Sequence, residues 1–171
     1  MKLDLSKEQC AKLCVLKGDN EVGAGSPRAL MNDPYMNRDV QVLRLMEEYR
    51  KYGKLIVAFD FDDTIFDYHK KGYTYPYMIG LLKECQELGF YLVLFTGCAK
   101  EKWSGMIEYC KSVGITPCAV NENPFPMPFG NDGKIYYNIL LDDRSGLSEA
   151  CEILKTVINY AKTKRQSCSP S

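Results

Sequence analysis

The chain has 171 residues, enough for one domain with a short appendage, and its 46% hydrophobic content argues against wholesale disorder. Its 22 basic and 22 acidic residues balance. No overall positive field therefore exists to drive non-specific binding to nucleic acid or to membranes. A local basic patch stays open, because balance says nothing about distribution, but net charge gives nucleic acid no support as a partner.

The eight cysteines are interpreted as buried free thiols and not as a disulfide scaffold. Residues 1–16 are interrupted by charged side chains where a signal peptide would be apolar. No apolar run reaches the length of a membrane span. The sequence has no Cys-x-x-Cys pair and a single histidine, which disfavours a zinc site. We therefore expect reduced cysteines, no membrane partner and a cytoplasmic location.

The N-terminal region, residues 1–37, is predicted to form a helix and a linker. Ser6 with Gln9 resembles a capping box, and Gly18 supplies the end of the helix. Residues 18–37 combine glycine, proline and asparagine without any hydrophobic period, which is typical of a linker.

Residues 38–162 are predicted to form the main domain, with its core at residues 54–160 and a flexible polar tail at residues 163–171. Apolar side chains recur at helical spacing over residues 38–52, and Gly53 follows as a stop signal.

Alternating strand and helix patterns fill the rest of the domain. Continuous apolar runs predict parallel strands buried on both faces at residues 55–59, 90–95, 118–120 and 139–141. Helical patterns cover residues 76–88, 99–113 and 147–162. This alternation implies right-handed crossovers and the α/β class, as a Rossmann-like three-layer α/β/α fold around a central parallel sheet.

Residues capable of chemistry follow three of the predicted strands. In chain order these are Asp60, Asp62 and Asp63, then Thr96 and Gly97, then Asp142 and Asp143. Parallel α/β sheets bind ligands outside the carboxyl ends of their strands, so these segments are expected to converge at one edge.

The carboxylates predict a cation, because several of them in one dry pocket would repel each other. Oxygen ligands with room for water fit Mg²⁺ better than zinc or copper. Phosphate oxygens would complete the coordination, bound by a hydroxyl, a backbone amide without a Cβ and a lysine: Thr96, Gly97 and Lys134. Such a set has the parts of a phosphoryl-transfer site.

The acidic residues have two plainer interpretations. For one Asp-x-Asp pair alone, turn-forming aspartates are the better explanation. An EF-hand calcium loop starting at Asp60 fails, because Ile65 and Lys71 stand where the loop requires glycine and glutamate. The specificity lies in the ordered combination after successive strands.

That combination resembles the motifs of the haloacid dehalogenase-like (HAD) phosphatase superfamily. The hydrophobic strand followed by Asp-x-Asp-x-Thr matches Asp60 to Thr64, and the later motifs match Thr96-Gly97, Lys134 and Asp142-Asp143. The resemblance covers roughly residues 54–160 and leaves residues 1–53 unexplained.

The resemblance implies a role for each matching residue. Asp60 would be the nucleophile that forms an aspartyl-phosphate, and Asp62 the general acid and then the base. Thr96 would hydrogen-bond the phosphoryl group and Lys134 would neutralise charge, with Lys100 and Lys102 as rival cations. Mg²⁺ would be held by carboxylates and by one backbone carbonyl: Asp60, the carbonyl of Asp62, and Asp142, with Asp143 in support.

The intervals between the motifs leave no room for the cap domain that many HAD enzymes carry, so the resemblance is to the capless type. An open site would admit a bulky or polymeric substrate, or be closed by a second subunit in a homo-oligomer. Residues 67–77 are rich in tyrosine and either form a flap that stacks on a base or a sugar, or a hairpin packed on the domain. His69 is interpreted as an exposed loop histidine. Residues 121–130 either border the site or form a rigid surface loop.

These observations predict a Mg²⁺-dependent phosphohydrolase that cleaves phosphomonoesters, with a phosphorylated small molecule or polymer end as substrate. A nucleotide or nucleic-acid-end phosphatase is one alternative. A non-catalytic, partner-binding protein with the same fold is the other.

Overall fold

The structure is a computed structural model that describes residues 34–128 and 133–167. By its internal contacts the chain divides between Met36 and Asn37. Before that point, Pro34–Met36 forms one turn of 3₁₀ helix. The predicted N-terminal helix and most of the predicted linker lie outside the described residues.

The centre of the main unit is a parallel sheet of four strands. They are β1 (Ile56–Phe59), β2 (Tyr91–Leu94), β3 (Ala119–Val120) and β4 (Ile139–Leu141), arranged in the order β3-β2-β1-β4. β1 pairs in parallel with both β2 and β4. Helices flank the sheet, which confirms the predicted Rossmann-like, three-layer α/β/α class.

Four helices accompany the strands: α1 (Arg38–Tyr52), α2 (Pro76–Glu87), α3 (Trp103–Ser112) and α4 (Leu147–Ser167). A 3₁₀ turn, Lys100–Lys102, precedes α3. α1 begins where the Asn37 side chain accepts hydrogen bonds from two backbone N–H groups and ends at Gly53, which adopts a positive φ of 71°. The predicted stop signal at Gly53 is therefore confirmed.

α4 continues to Ser167, so the predicted end of this helix at residue 162 was wrong. Its last turns carry basic side chains that donate hydrogen bonds to α2 and to the residue that follows it. Lys162 donates to the Glu84 carboxylate at 2.7 Å, and the Arg165 guanidinium donates to the backbone carbonyls of Glu87 and Leu88. These contacts favour helix in a segment whose polar composition alone predicts a flexible tail; residues 168–171 of that tail lie outside the described range.

The core lies on both faces of the sheet. On one face, Val57, Phe59 and Leu92 belong to the larger of two buried clusters. On the other, Ile56 and Val93 pack with Ala119 and with Met127, which lies in the connection between β3 and β4. This alternation along β1 and β2 is the reason that the strands read as continuous apolar runs.

The described cysteines are free thiols, and three of them, Cys85, Cys110 and Cys151, are buried. Burial raises the pKa of the Cys85 thiol to about 12. These side chains are small core residues, as the sequence predicted. Within the described ranges, no helix combines the length and the apolar character needed to cross a bilayer.

Candidate active site

A cavity of about 330 Å³ opens at the carboxyl ends of β1, β2 and β4. Six of the seven predicted site residues line it: Asp60, Asp62, Thr96, Gly97, Asp142 and Asp143. Five further residues complete the lining, namely Asp63, Tyr68, His69, Cys98 and Arg144. The predicted convergence of separate strand ends at one edge of the sheet is thus what the fold produces.

Asp60 occupies the first position after β1, at the centre of the sheet edge. Its backbone N–H donates to the Leu141 carbonyl at 2.9 Å, which continues the pairing of β1 with β4. Burial raises the pKa of its carboxyl to about 6, and the neighbouring carboxylates of Asp142 and Asp143 push it in the same direction. Asp60 is therefore ionised at neutral pH against the preference of its surroundings.

Thr64 connects the first acidic segment with the last. Its side chain is fully buried; its hydroxyl donates to Asp60 Oδ2 at 3.3 Å and accepts from the backbone N–H of Asp143 at 3.2 Å. One hydroxyl thus orients the candidate nucleophile and fixes the chain after β4. The sequence motif contained Thr64, but the spacing did not reveal this bridging contact.

A tight loop follows β1 and holds Asp62. The backbone N–H of Phe66 returns to the Phe61 carbonyl at 3.0 Å, and the two rings stack with their centroids 5.1 Å apart. Across the cavity, the Cys98 thiol donates to Asp62 Oδ2 at 3.7 Å, a weak contact for an S–H group. Asp62 is partly exposed, so its carboxylate is accessible from the cavity.

Thr96 is buried and held by a residue that the sequence analysis did not identify. The Asn121 side chain accepts from the Thr96 backbone N–H at 2.8 Å and donates to the Thr96 carbonyl at 2.5 Å. Asn121 follows β3 and has a positive φ of 52°, a backbone conformation that asparagine tolerates better than most residues. An asparagine directly after a strand is the sequence signal that could have identified it.

Gly97 is exposed, and a Cβ added to it would meet no protein atom within 4 Å. The packing of the protein therefore does not require glycine at this position. The close approach of a ligand to the Gly97 backbone stays a prediction.

His69 lies in the cavity, in contact with Asp63. Its Nδ1 is 2.5 Å from Asp63 Oδ2, and the Tyr75 hydroxyl donates to Asp63 Oδ1 at 3.4 Å. Because a histidine in an exposed loop carries no pattern of its own, the sequence did not predict this contact. His69 is exposed, as expected, yet it faces a carboxylate of the site.

The loop that presents His69 is organised by Asp67, whose carboxylate accepts backbone N–H groups from three residues, Lys71, Gly72 and Tyr73. These hydrogen bonds lower the pKa of Asp67. The loop contains no strands, so its interpretation as a hairpin was wrong. Tyr68 and Tyr73 are exposed, whereas Tyr75 is partly buried.

The cations are placed differently from the prediction. Lys134 is exposed and does not line the described cavity, and neither of its rivals, Lys100 and Lys102, does. Arg144 does line it, and the Arg144 backbone N–H donates to Asp142 Oδ1 at 2.8 Å. The role predicted for Lys134 stays a prediction, and Arg144 is the cation that the sequence analysis missed.

The oxygen atoms at this edge of the sheet fit a Mg²⁺ ion that is bound by few protein ligands and several waters. Among the described residues, no group of three or more Asp, Glu, His or Cys side chains is arranged to hold a metal ion. Two carboxylates, Asp60 and Asp142, with the backbone carbonyl of Asp62 make a smaller set that Mg²⁺ accepts, because this ion usually keeps several waters. Burial raises the pKa of Asp60, and the carboxylates of Asp142 and Asp143 add to the effect. A divalent cation would offset both by supplying positive charge next to the ionised carboxylate.

Comparison with known proteins gives little to add to this geometry. No protein-family model and no curated protein matches the chain. Among solved structures, it is similar to one described as the conserved protein coded by a locus from Bacteroides thetaiotaomicron. The identity is 26%, the match covers 68% of this chain and 99% of that one, and the TM-score is 0.49. That description states no activity.

Proposed function

We propose that the chain is a Mg²⁺-dependent phosphohydrolase of the HAD-like, capless type that cleaves phosphomonoesters. One observation carries this proposal: acidic and hydroxyl residues from three strand ends, Asp60, Asp62, Thr96, Asp142 and Asp143, line a single cavity. The order of these residues along the chain matches the motifs that the sequence resembles.

In the proposed reaction, a carboxylate oxygen of Asp60 attacks phosphorus and displaces the leaving group, forming an aspartyl-phosphate. Asp62 donates a proton to the departing oxygen and later accepts one from the water that hydrolyses the intermediate. Dividing the displacement into two steps replaces one difficult reaction with two easier ones. The buried hydroxyl of Thr64, which donates to Asp60 Oδ2, leaves the other carboxylate oxygen of Asp60 for the attack.

The transferred phosphoryl group would be bound by the Thr96 hydroxyl, by the backbone N–H of Gly97 and by the guanidinium of Arg144 or the ammonium of Lys134. Asp60, the Asp62 carbonyl and Asp142 would hold Mg²⁺, with Asp143 in support. The ion would supply positive charge against the phosphoryl oxygens. Asn121 fixes the backbone of Thr96 through two hydrogen bonds, so the phosphate-binding groups need little reorganisation.

The decisive test compares wild type with Asp60→Asn, using p-nitrophenyl phosphate and Mg²⁺. We expect turnover by wild type, a loss of about 10⁴-fold or more in kcat for the variant, and no turnover by either protein in EDTA. Asp39→Asn is the matched control, because Asp39 is an exposed carboxylate in the first turn of α1. If wild type is no faster than Asp60→Asn, the proposal is wrong and a partner-binding protein with this fold becomes the better conclusion.

A nucleotide phosphatase is the second candidate, supported by the presence of Tyr68 and His69 in the cavity lining. An exposed tyrosine at the mouth of a phosphate site offers a surface on which a base can stack. A panel of nucleoside monophosphates, sugar phosphates and phosphorylated oligonucleotides separates the candidates. A preference for nucleotides that is lost in Tyr68→Leu would support the second, and equal rates across the panel would contradict it.

A further inference from the structure

A second cavity, of about 290 Å³, lies at the opposite end of the sheet. Ile56 and Tyr91 line it; they are the first residues of β1 and β2 and are paired with each other. Strands rise about 3.3 Å per residue, so Ile56 is roughly 13 Å from Asp60 along β1. This second cavity is therefore separate from the candidate active site.

The walls of the second cavity are mainly aromatic. Tyr91 and Phe125 meet edge to face with their ring centroids 5.0 Å apart, and Tyr52 and Tyr136 also belong to the lining. Two of these rings are unusually exposed, since Tyr52 keeps 62% and Phe125 41% of its accessible surface. Large aromatic side chains grouped at the mouth of a concave site are typical of ligand-binding pockets.

The amide of Asn138, at the base of the cavity, already has partners within the protein. Its Oδ1 accepts from the Ile56 backbone N–H at 2.6 Å, and its Nδ2 donates to Glu48 at 2.7 Å and to the Tyr136 hydroxyl at 3.3 Å. The amide has a structural use and offers no free N–H to a ligand.

Lys54 is the one charged residue among the described residues that line the cavity. Its ammonium lies over the Tyr91 ring, 5.2 Å from the centroid, so the charge is held at the aromatic wall. A ligand placed between these rings would meet a single positive charge and no carboxylate from the described lining. The complementary ligand therefore has a flat, apolar ring system and a single negative charge.

We propose that this cavity binds a small, flat aromatic molecule that carries one carboxylate. The rings of Tyr91, Phe125 and Tyr52 contact the faces and edges of the ligand, and Lys54 pairs with its carboxylate. The volume is close to the lower end of the range for small-molecule pockets, about 300–1,000 Å³, which suits one or two fused rings. The proposal does not depend on phosphate hydrolysis.

The test uses the full-length chain and two ligands that share the naphthalene ring, the anionic 2-naphthoate and the neutral 2-naphthalenemethanol, in titrations followed by ¹H–¹⁵N NMR. We expect saturable binding of 2-naphthoate with a Kd on the order of 1 mM or below, and shifts at Ile56, Tyr91 and Asn138. The neutral alcohol should bind about tenfold more weakly.

Two variants locate the charge. Lys54→Met keeps an apolar stem and should weaken 2-naphthoate about tenfold while leaving the alcohol unchanged. Lys51→Met is the matched control, because the Lys51 ammonium lies over Tyr52, 4.8 Å from the ring centroid, and Lys51 does not line the cavity. Absence of saturable shifts, equal affinity for both ligands, shifts confined to the candidate active site, or an equal effect of the two lysine variants would each overturn the proposal.

Discussion

The two ends of the parallel sheet use polar groups in opposite ways. At the amino ends, Asn138 is buried and each of its polar atoms has a partner, so it stabilises the strand that it joins to α1. At the carboxyl ends, Asp60 is crowded by burial and by other carboxylates, which raise its pKa to about 6. The hydrogen-bonded amide of Asn138 therefore stabilises the folded state, whereas the ionised carboxylate of Asp60 destabilises it.

This difference supports the proposal that the carboxyl end of the sheet is the reactive one. Groups held against their electrostatic preference cluster at functional sites, because a reactive carboxylate needs neighbours that a stable core would avoid. At the carboxyl ends of the strands, a hydrogen bond from Thr64 orients the Asp60 carboxylate, and the Asn121 side chain fixes the backbone of Thr96. Substitutions at the two ends should therefore change stability in opposite directions, and only those at the carboxyl end should change the reaction.

After the loss expected for Asp60→Asn, the largest expected effect is on the reaction, from Asp62→Asn. A general acid contributes about 10²–10⁴-fold, and most when the leaving oxygen is a poor leaving group. We expect kcat/KM to fall by that factor with glycerol phosphate but far less with p-nitrophenyl phosphate, whose leaving group departs without a proton. Steady-state kinetics with both substrates measures the ratio. Equal losses for the two substrates would assign Asp62 a role other than general acid.

The next effect is on stability at the amino end, from Asn138→Ala. The substitution leaves the Ile56 backbone N–H, at the buried start of β1, without its side-chain acceptor. The free energy of unfolding should fall by about 1–3 kcal/mol, as measured by urea denaturation. Asn159→Ala, on the exposed side of α4, is the control and should stay within about 0.5 kcal/mol of wild type. A loss no larger than that of the control would show that the Asn138 contacts contribute little.

A smaller change of opposite sign is expected at the carboxyl end, from Asp60→Asn in metal-free buffer. The pKa of Asp60 is raised from 3.8 to about 6, so the folded state binds the proton more tightly than the unfolded state. Stability is therefore complete below pH 4 and decreases as the pH rises through 6. Asparagine cannot ionise, so above pH 7 the variant should be more stable by about 1–2 kcal/mol, allowing for the partial exposure of Asp60.

Urea denaturation at pH 4 and at pH 7.5 tests the sign as well as the size. The free energies of unfolding of the variant and of wild type should differ at pH 7.5 and converge at pH 4. The measurement at pH 4 is therefore the control for the one at pH 7.5. A variant less stable than wild type at pH 7.5 would mean that the ionised carboxylate of Asp60 is satisfied by its hydrogen bonds, and the contrast between the two ends would not hold.

Sequence patterns predicted the fold and most of the residues that line the candidate site, because both depend on period and order along the chain. Four apolar runs specified the parallel strands, and residues directly after three of them, such as Asp60, Thr96 and Asp142, line the cavity because parallel strands end at one edge. The prediction of the α4 end was wrong because Arg165 is held by backbone carbonyls at the C-terminal end of α2, and such tertiary contacts leave no pattern in the sequence.

What the sequence did not reveal are contacts between residues that have no shared pattern. Asn121 clamps Thr96 across strands, and Arg144 enters the cavity while Lys134 does not line it. Such pairings depend on where loops pass in three dimensions. Position directly after β3 was a usable signal for Asn121, and Arg144 follows the acidic pair after β4. His69 offered no such signal, and its place beside Asp63 follows from the loop that Asp67 organises.

The smallest expected effect is that of a substitution at His69, which lines the cavity but lies outside the predicted motifs in the sequence. Its imidazole contacts Asp63 at 2.5 Å, next to the proposed acid, so we expect it to position the substrate and not to transfer the proton. His69→Ala should lower kcat/KM by roughly three- to tenfold, about one hydrogen bond, mainly through KM. His69→Gln keeps a donor for Asp63 and should recover most of that loss. Steady-state kinetics separates kcat from KM. If His69→Ala reduces kcat as strongly as Asp62→Asn, and only for poor leaving groups, then His69 supplies the proton and the roles of the two residues must be exchanged.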